Sequence, residues 1–277
     1  MLAPRWRAPL ARTSFWSISM ARAYTRQLSP RIAECELSYI GREPIDVARA
    51  RDQHAAYERT LLQCGLELQR LPVLPDSPDG VFVEDMAVLL GDHALLARPA
   101  SAARAAETAS AAQVLAADFE LEALREGTLD GGDVLRIGKK LYVGHSARTD
   151  ATGAKALSAW ARRLGFTVEI VPVSGCLHLK TGATNAGLDA GGRALLILNP
   201  AWVDPQAFRD CEILTVAPEE PFAANTLRIG SQLLIATGQP RLSAALRQRG
   251  FTIRELALSE LQKAEAGLTC LSLIDSR

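Results

Sequence analysis

DGGDVLRIGKKLYVGHSART, residues 130–149, reads as two short apolar runs around a Gly-Lys turn, the pattern of a β-hairpin. The pattern recurs on both sides of it. FVEDMAVLLGDHALLARP (82–99) turns at Gly-Asp, LHLKTGATNAGLDAGGRALLILNP (177–200) at Gly-Gly, and ANTLRIGSQLLIATG (224–238) at Gly-Ser. Asp85 to Asp133 is 48 residues, Asp133 to His178 is 45, His178 to Asn225 is 47, and Asn225 to Cys270 is 45. A unit of that length cannot bury its own faces and must stack on its neighbours.

Helical stretches separate the hairpins. VARARDQHAAYERTLLQCGLEL (47–68) sets Val47, Ala50, His54, Tyr57, Leu61 and Cys64 on one face, with Gly65 as a stop. The others are SAARAAETASAAQVLAADF (101–119), ATGAKALSAWARRLG (151–165) and PRLSAALRQRG (240–250). Nearly every helix is followed by a short apolar run such as LELQRLP, FTVEIVPV or FTIRELAL. The unit is helix, strand, hairpin. With AYTRQLSP first and LTCLSLI last, five units close a ring that leaves no exposed sheet edge. The expected fold is an α/β five-bladed propeller rather than a two-domain enzyme.

Composition narrows the function. Of 277 residues, 48% are hydrophobic and 22% charged, an ordinary globular balance. Lys+Arg and Asp+Glu are each 31, so the basic excess of a nucleic-acid binder is missing. No apolar run approaches the roughly 18 residues of a membrane span. Cys35, Cys64, Cys176, Cys211 and Cys270 are odd in number, scattered and without a C-x-x-C pair. That argues against a disulfide framework or thiolate zinc site and for a reduced, cytoplasmic setting. Residues 1–19 carry Arg5, Arg7 and Arg12 and no acid. They read as an extension ahead of a true start at Met20 rather than as a transit peptide, leaving 20–277 as one catalytic domain.

In a ring of repeats, equivalent positions converge on the axis. Glu84 and Asp85, Asp130 and Asp133, His178, Asn225 and Cys270 should therefore meet. A thiol can serve as nucleophile, an imidazole as acid and base, and one carboxylate as its orienter. The other carboxylates suit a cation, above all a planar guanidinium held by paired hydrogen bonds. His54, His93 and His145 read as structural. Strand alternation in LTCLSLI places Cys270 and Ser272 opposite Leu271 and Leu273. The Gly pair of LDGGDVL reads on its own as a bulge or tight turn.

FVED (82–85), LDGGDVL (129–135), LYVGHSART (141–149), CLHLKTG (176–182), AAN (223–225) and GLTCLSL (267–273) occur in this order, after IDVARARDQH at 45–54. As a set they resemble the dimethylarginine dimethylaminohydrolases of the pentein, or guanidino-group-modifying, superfamily, from about residue 21 onward. The resemblance implies a five-bladed αβ propeller that hydrolyses methylated arginine to citrulline and a methylamine through a covalent cysteine intermediate. It implies Cys270 as nucleophile, His178 as proton donor and Asp130 as the carboxylate that orients it. Glu84 and Asp85 are implied as guanidinium binders, and Asp79, Arg98 and Arg148 as the grip on the amino-acid end. Leu37 falls in a lid stretch, 29–44, and Ala264 beside the nucleophile. Neither metal nor organic cofactor is expected, and the partner is a small methylated arginine, with a homodimer left open. Ala264 stands where relatives often carry a larger aliphatic, and Glu265 where aspartate is common. An arginine deiminase-like hydrolase and a non-catalytic arginine-binding module are the competing readings.

Overall fold

In a computed structural model describing residues 21–189, 191–275 and 277, each expected hairpin forms and each captures a third strand. β1 (Arg22–Thr25) and β2 (Glu67–Arg70) run parallel. β3 (Ala87–Leu90) and β4 (His93–Leu96) are antiparallel about Gly91, whose φ of +60° suits a tight turn, and β5 (Glu120–Ala123) joins parallel to β4. The third blade is β6 (Val134–Ile137), β7 (Lys140–His145) and β8 (Thr167–Pro172), and the fourth is β9 (Ala183–Leu188), β10 (Ala194–Leu198) and β11 (Glu212–Thr215). The fifth is β12 (Leu227–Ile229), β13 (Gln232–Ala236) and β14 (Thr252–Leu256). Finally β15 (Leu273–Asp275) returns to pair antiparallel with β1, completing the first blade and closing the ring. The pentein architecture expected from the sequence is present.

Each parallel step needs a crossover, and helices supply four of the five. α1 (Val47–Gln63) is capped by Asp46, which accepts the Arg49 N–H at 3.1 Å. Its inward face is Ala50, His54, Tyr57 and Leu61, as the 3.6-residue periodicity requires, with Val47 and Cys64 half-buried at its ends. α2 (Ala105–Leu115), α3 (Ala151–Arg163) and the helix Pro240–Gln248 occupy the other three expected stretches. The fourth blade crosses on a single turn, Pro205–Phe208. Apolar side chains from adjacent blades fill the seams. Between the first and fifth blades Tyr57, Leu61, Leu234 and Leu268 are fully buried, and each such leucine is worth about 1.5–3 kcal/mol of transfer free energy.

A detail absent from the hairpin pattern positions the chemistry. The five innermost strands β3, β6, β9, β12 and β15 each follow a single helical turn: Val83–Met86, Gly131–Asp133, Leu179–Gly182, Pro221–Ala224 and Thr269–Leu271. FVED and LTC are therefore turns, not strand starts. The polar residues picked out by the period lie in these turns or at their caps. Below them a cavity of about 890 Å³ follows the axis, walled by the inner strands and floored by Glu84, Lys180 and Thr269. Cys270, His178 and Asp130 are not among its walls. Among the described residues, no helix is long and apolar enough to cross a membrane. The expected extension 1–19 lies outside the described residues.

Candidate active site

Four of the five turns are tied directly into one buried cluster. Asp130, at the head of its turn and fully buried, places Oδ2 3.3 Å from His178 Nε2. His178 heads the next turn, which is held in place when Asp133 accepts the Leu179 N–H at 2.8 Å. Asp133 also accepts from Ser146 and Thr149 at 2.6 and 2.7 Å, so it is a clamp for this corner rather than a free carboxylate. The other imidazole nitrogen, Nδ1, sits 3.8 Å from Asp85 Oδ1 and has no hydrogen-bond partner among the described residues. Burial opposes charge on His178, but Asp85 and Asp130 outweigh it and lift its pKa to about 9. At neutral pH the ring is an imidazolium with one N–H committed to Asp130 and the other uncommitted.

The GG of LDGGDVL has a specific purpose. A Cβ on Gly132 would lie 2.6 Å from His178 Nδ1 and 2.9 Å from Asp85 Oδ1, and one on Gly131 would lie 2.1 Å from the Glu84 carbonyl oxygen. Only a bare backbone lets the imidazole and the Asp85 carboxylate face each other. Gly132 N–H also donates to Asp85 Oδ1 at 3.3 Å.

Glu84 accepts from Lys180 Nζ at 2.6 Å and from Thr269 Oγ1 at 2.7 Å. It joins the second, fourth and first blades beneath the reacting groups. Burial raises its pKa against the pull of Lys180. Glu84 thus has internal partners at both oxygens, and of the two expected guanidinium binders Asp85 is the one that faces His178. Cys270 lies in the turn after Thr269 and is 7% exposed, with Gly267 N–H donating to Sγ at 3.4 Å. Burial, reinforced by Glu84 and Asp85, pushes the thiol up to about 12. Asn225 supports this turn: its amide donates to Lys180 O at 2.9 Å and to Thr269 Oγ1 at 3.1 Å, and it accepts the Thr269 N–H at 3.3 Å.

Of the residues expected to grip the amino-acid end, Asp79 and Arg148 come together on Glu36. Asp79 is buried and accepts the Glu36 N–H at 3.1 Å, while Arg148 Nη1 is 3.0 Å from Glu36 Oε2. Leu37 is half-buried against the apolar cluster that contains Ala264 and Cys270. Arg98 does not join them. It is exposed, its guanidinium donates to Gly127 O at 3.3 Å, and its backbone bridges to Leu129. Its place among the buried groups is taken by Arg104, which the motif reading passed over. Arg104 Nη1 donates to Asp85 Oδ2 at 2.8 Å and lies 4.0 Å from Asp130 Oδ2, and its Nε pairs with Glu107 at 3.0 Å. Burial works against ionisation of Asp85, yet His178 and Arg104 hold its carboxyl below the usual range. Asp85, Asp130 and His178 are close enough together to hold a metal ion. The guanidinium of Arg104 already supplies a cation to both carboxylates.

Five buried carboxylates (Glu84, Asp85, Asp130, Asp133 and the Glu107 that shares Arg104) thus outnumber the cations Arg104, Lys180 and His178 next to a buried thiol. A further positive charge would offset part of that excess. A cation bound against Cys270 would also lower the thiol pKa, which links binding to nucleophile formation.

No family model matches the chain. The N(G),N(G)-dimethylarginine dimethylaminohydrolase of Streptomyces coelicolor is 38% identical over 254 residues, covering 91% of this chain and 96% of that protein. Among solved structures, DDAH from Pseudomonas aeruginosa, as a cysteine-to-serine mutant complexed with citrulline, matches with a TM-score of 0.86 at 28% identity, over 92% of this chain and 99% of that one. A dimethylarginine dimethylaminohydrolase with histidine replaced by glycine, in an adduct with S-methyl-L-thiocitrulline, matches with a TM-score of 0.84 at 29% identity and the same coverage.

Proposed function

Because this chain belongs to the dimethylarginine dimethylaminohydrolase family, we propose that it hydrolyses Nω-methylated arginines to citrulline and a methylamine. The observation that carries the reading is a buried cluster in which His178 lies between Asp130 and Asp85 and Cys270 sits in the turn packed against that of Glu84 and Asp85, with an excess of carboxylates that calls for a further positive charge. A guanidinium supplies that charge and carries the electrophilic carbon.

Cys270 acts first. Substrate binding lets the thiol release its proton to solvent, and the thiolate adds to the guanidinium carbon as an electron pair shifts onto nitrogen. His178 then gives its Nδ1 proton to the methylated nitrogen, the C–N bond breaks, and neutral dimethylamine or methylamine departs from an S-alkylthiouronium. The imidazole, now neutral, takes a proton from water while hydroxide adds to the same carbon. Collapse breaks the C–S bond and returns the thiolate while the adduct's hydroxyl proton passes to solvent, releasing citrulline. Asp130 keeps the ring oriented through both transfers, and Asp85 faces the guanidinium with Arg104 fixing its carboxylate. Asp79 and Arg148 receive the amino and carboxylate groups, and Leu37 and Ala264 supply the apolar margin.

The test is product analysis. Asymmetric dimethylarginine and monomethylarginine should yield citrulline with dimethylamine and methylamine, far faster than arginine yields ammonia. Arginine turned over as fast as the methylated forms would make the protein a deiminase. Cys270→Ser should end turnover. In the wild-type protein, mass spectrometry of quenched turnover should find the adduct on the Cys270 peptide; an adduct on Cys176, two residues from His178, would overturn the assignment.

A further inference from the structure

The lid stretch ends its hydrogen bonds on the residues expected to grip substrate. Glu36 presents a carboxylate and an N–H from one residue, the pair of functions carried by the amino-acid end of an arginine. Its Oε2 takes Arg148 Nη1 at 3.0 Å, its Oε1 takes Ser101 Oγ at 2.5 Å, and its N–H goes to Asp79 Oδ2 and Oδ1 at 3.1 and 3.3 Å. The second terminal nitrogen of Arg148 also turns to the lid, donating to Ser38 Oγ at 3.4 Å. Next to this, Glu265 accepts the consecutive N–H groups of Ser38, Tyr39 and Ile40, which keeps the loop down. Glu265 does so from a left-handed backbone, φ +57°, directly after Ala264.

We propose that Glu36 is a specificity-determining residue that competes with the substrate carboxylate for Arg148 and with the substrate ammonium for Asp79. The proposal rests on the reading of Arg148 and Asp79 as the amino-acid grip. Two carboxylates cannot share one guanidinium edge without facing each other, so an arginine must displace Glu36 before its own carboxylate docks. Burial opposes the charge on Glu36, but Ser101 and Arg148 hold its carboxyl ionised below the usual range, so the competitor is an anion at any working pH. The Glu36 side chain is 40% exposed and that of Arg148 12%, which makes the pair modest in strength and displaceable. The cost falls on guanidines that carry an α-carboxylate and spares those that lack one. Glu36 therefore sets how far the site prefers an amino acid over its decarboxylated analogue.

The experiment compares wild type, Glu36→Gln, Glu36→Asp and Arg148→Ala as full-length protein on asymmetric dimethylarginine and on the same compound without its carboxylate. Glu36→Gln should lower KM for the amino acid by about 3- to 10-fold and leave KM for the decarboxylated analogue unlowered, with Glu36→Asp nearer wild type. Arg148→Ala should raise KM for the amino acid alone. If Arg148→Ala raises KM while Glu36→Gln leaves it equal or higher, competition is refuted and Glu36 is a latch that helps binding. If Arg148→Ala leaves KM unchanged, the grip itself has been misread. Equal effects of Glu36→Gln on both substrates would refute the specificity claim, and circular dichroism of each variant separates these outcomes from misfolding.

Discussion

If substrate itself generates the nucleophile, the free enzyme should be nearly inert toward a neutral alkylating reagent. Cys270 has its pKa pushed up to about 12 by burial and by Glu84 and Asp85. A thiol of that pKa is ionised to roughly one part in 10⁵ at pH 7. A guanidinium about 4 Å from sulfur contributes about 4 kcal/mol at an effective dielectric of 20, or about 3 pKa units, and so raises the thiolate fraction roughly 1,000-fold. Perturbing pH reads this out. Iodoacetamide alkylation of the Cys270 peptide, followed by mass spectrometry, should climb about tenfold per pH unit from pH 6 to 10 without levelling. The rate of turnover should instead reach its maximum near pH 9, where the thiol ionises in the complex and His178 begins to lose the proton it must donate. An alkylation rate that levels below pH 8 would refute the reasoning. It would mean that the protein holds a thiolate without substrate.

Three further outcomes follow from the same cluster. Asp130→Asn removes a carboxylate 3.3 Å from Nε2, so the His178 pKa should fall from about 9 by about 1–3 units, and the alkaline limb of kcat/KM should move down with it; a limb that stays in place would separate Asp130 from the imidazole. Gly132→Ala puts a methyl 2.6 Å from Nδ1, and a ring displaced by even ~1 Å should lower kcat about 100-fold with KM little changed, as steady-state kinetics would report. Arg104→Met leaves Asp85 and Glu107 buried without their cation and should cost about 3–5 kcal/mol in chemical denaturation; a loss under 1 kcal/mol would show that water replaces the guanidinium.

The ring was legible because period and turn chemistry are local. Gly91, Gly138 and Gly230 each mark a hairpin turn with positive φ, and a repeat of hairpins leaves few arrangements other than a closed disc. The site was legible only where it coincided with the repeat. Asp85, Asp133, His178, Asn225 and Cys270 recur at the period, with Glu84 and Asp130 one and three residues from it, so finding the repeat pointed to them. Arg104 has no such place in it. It stands among alanines at the start of a crossover helix, 19 residues from Asp85, and nothing in AARAAE announces that its side chain turns inward. Arg98, within a motif, drew the assignment instead, although it lies exposed just past the end of β4. The strand alternation read into LTCLSLI failed for a related reason. Thr269, Cys270, Leu271 and Ser272 are all buried, because a helical turn at the axis has no solvent face.

The order of strands also has a meaning for synthesis. The nucleophile rides on the turn before β15, and β15 finds its hydrogen-bonding place against β1, the first strand of the described residues. A ribosome must therefore deliver the fourteen strands that precede β15 among the described residues before the thiol can meet the imidazole. Until then Cys270 is either unmade or outside the electrostatic setting that makes it selective. A nascent chain of this protein carries no working catalytic centre, and activity begins with the last inner strand rather than accumulating blade by blade.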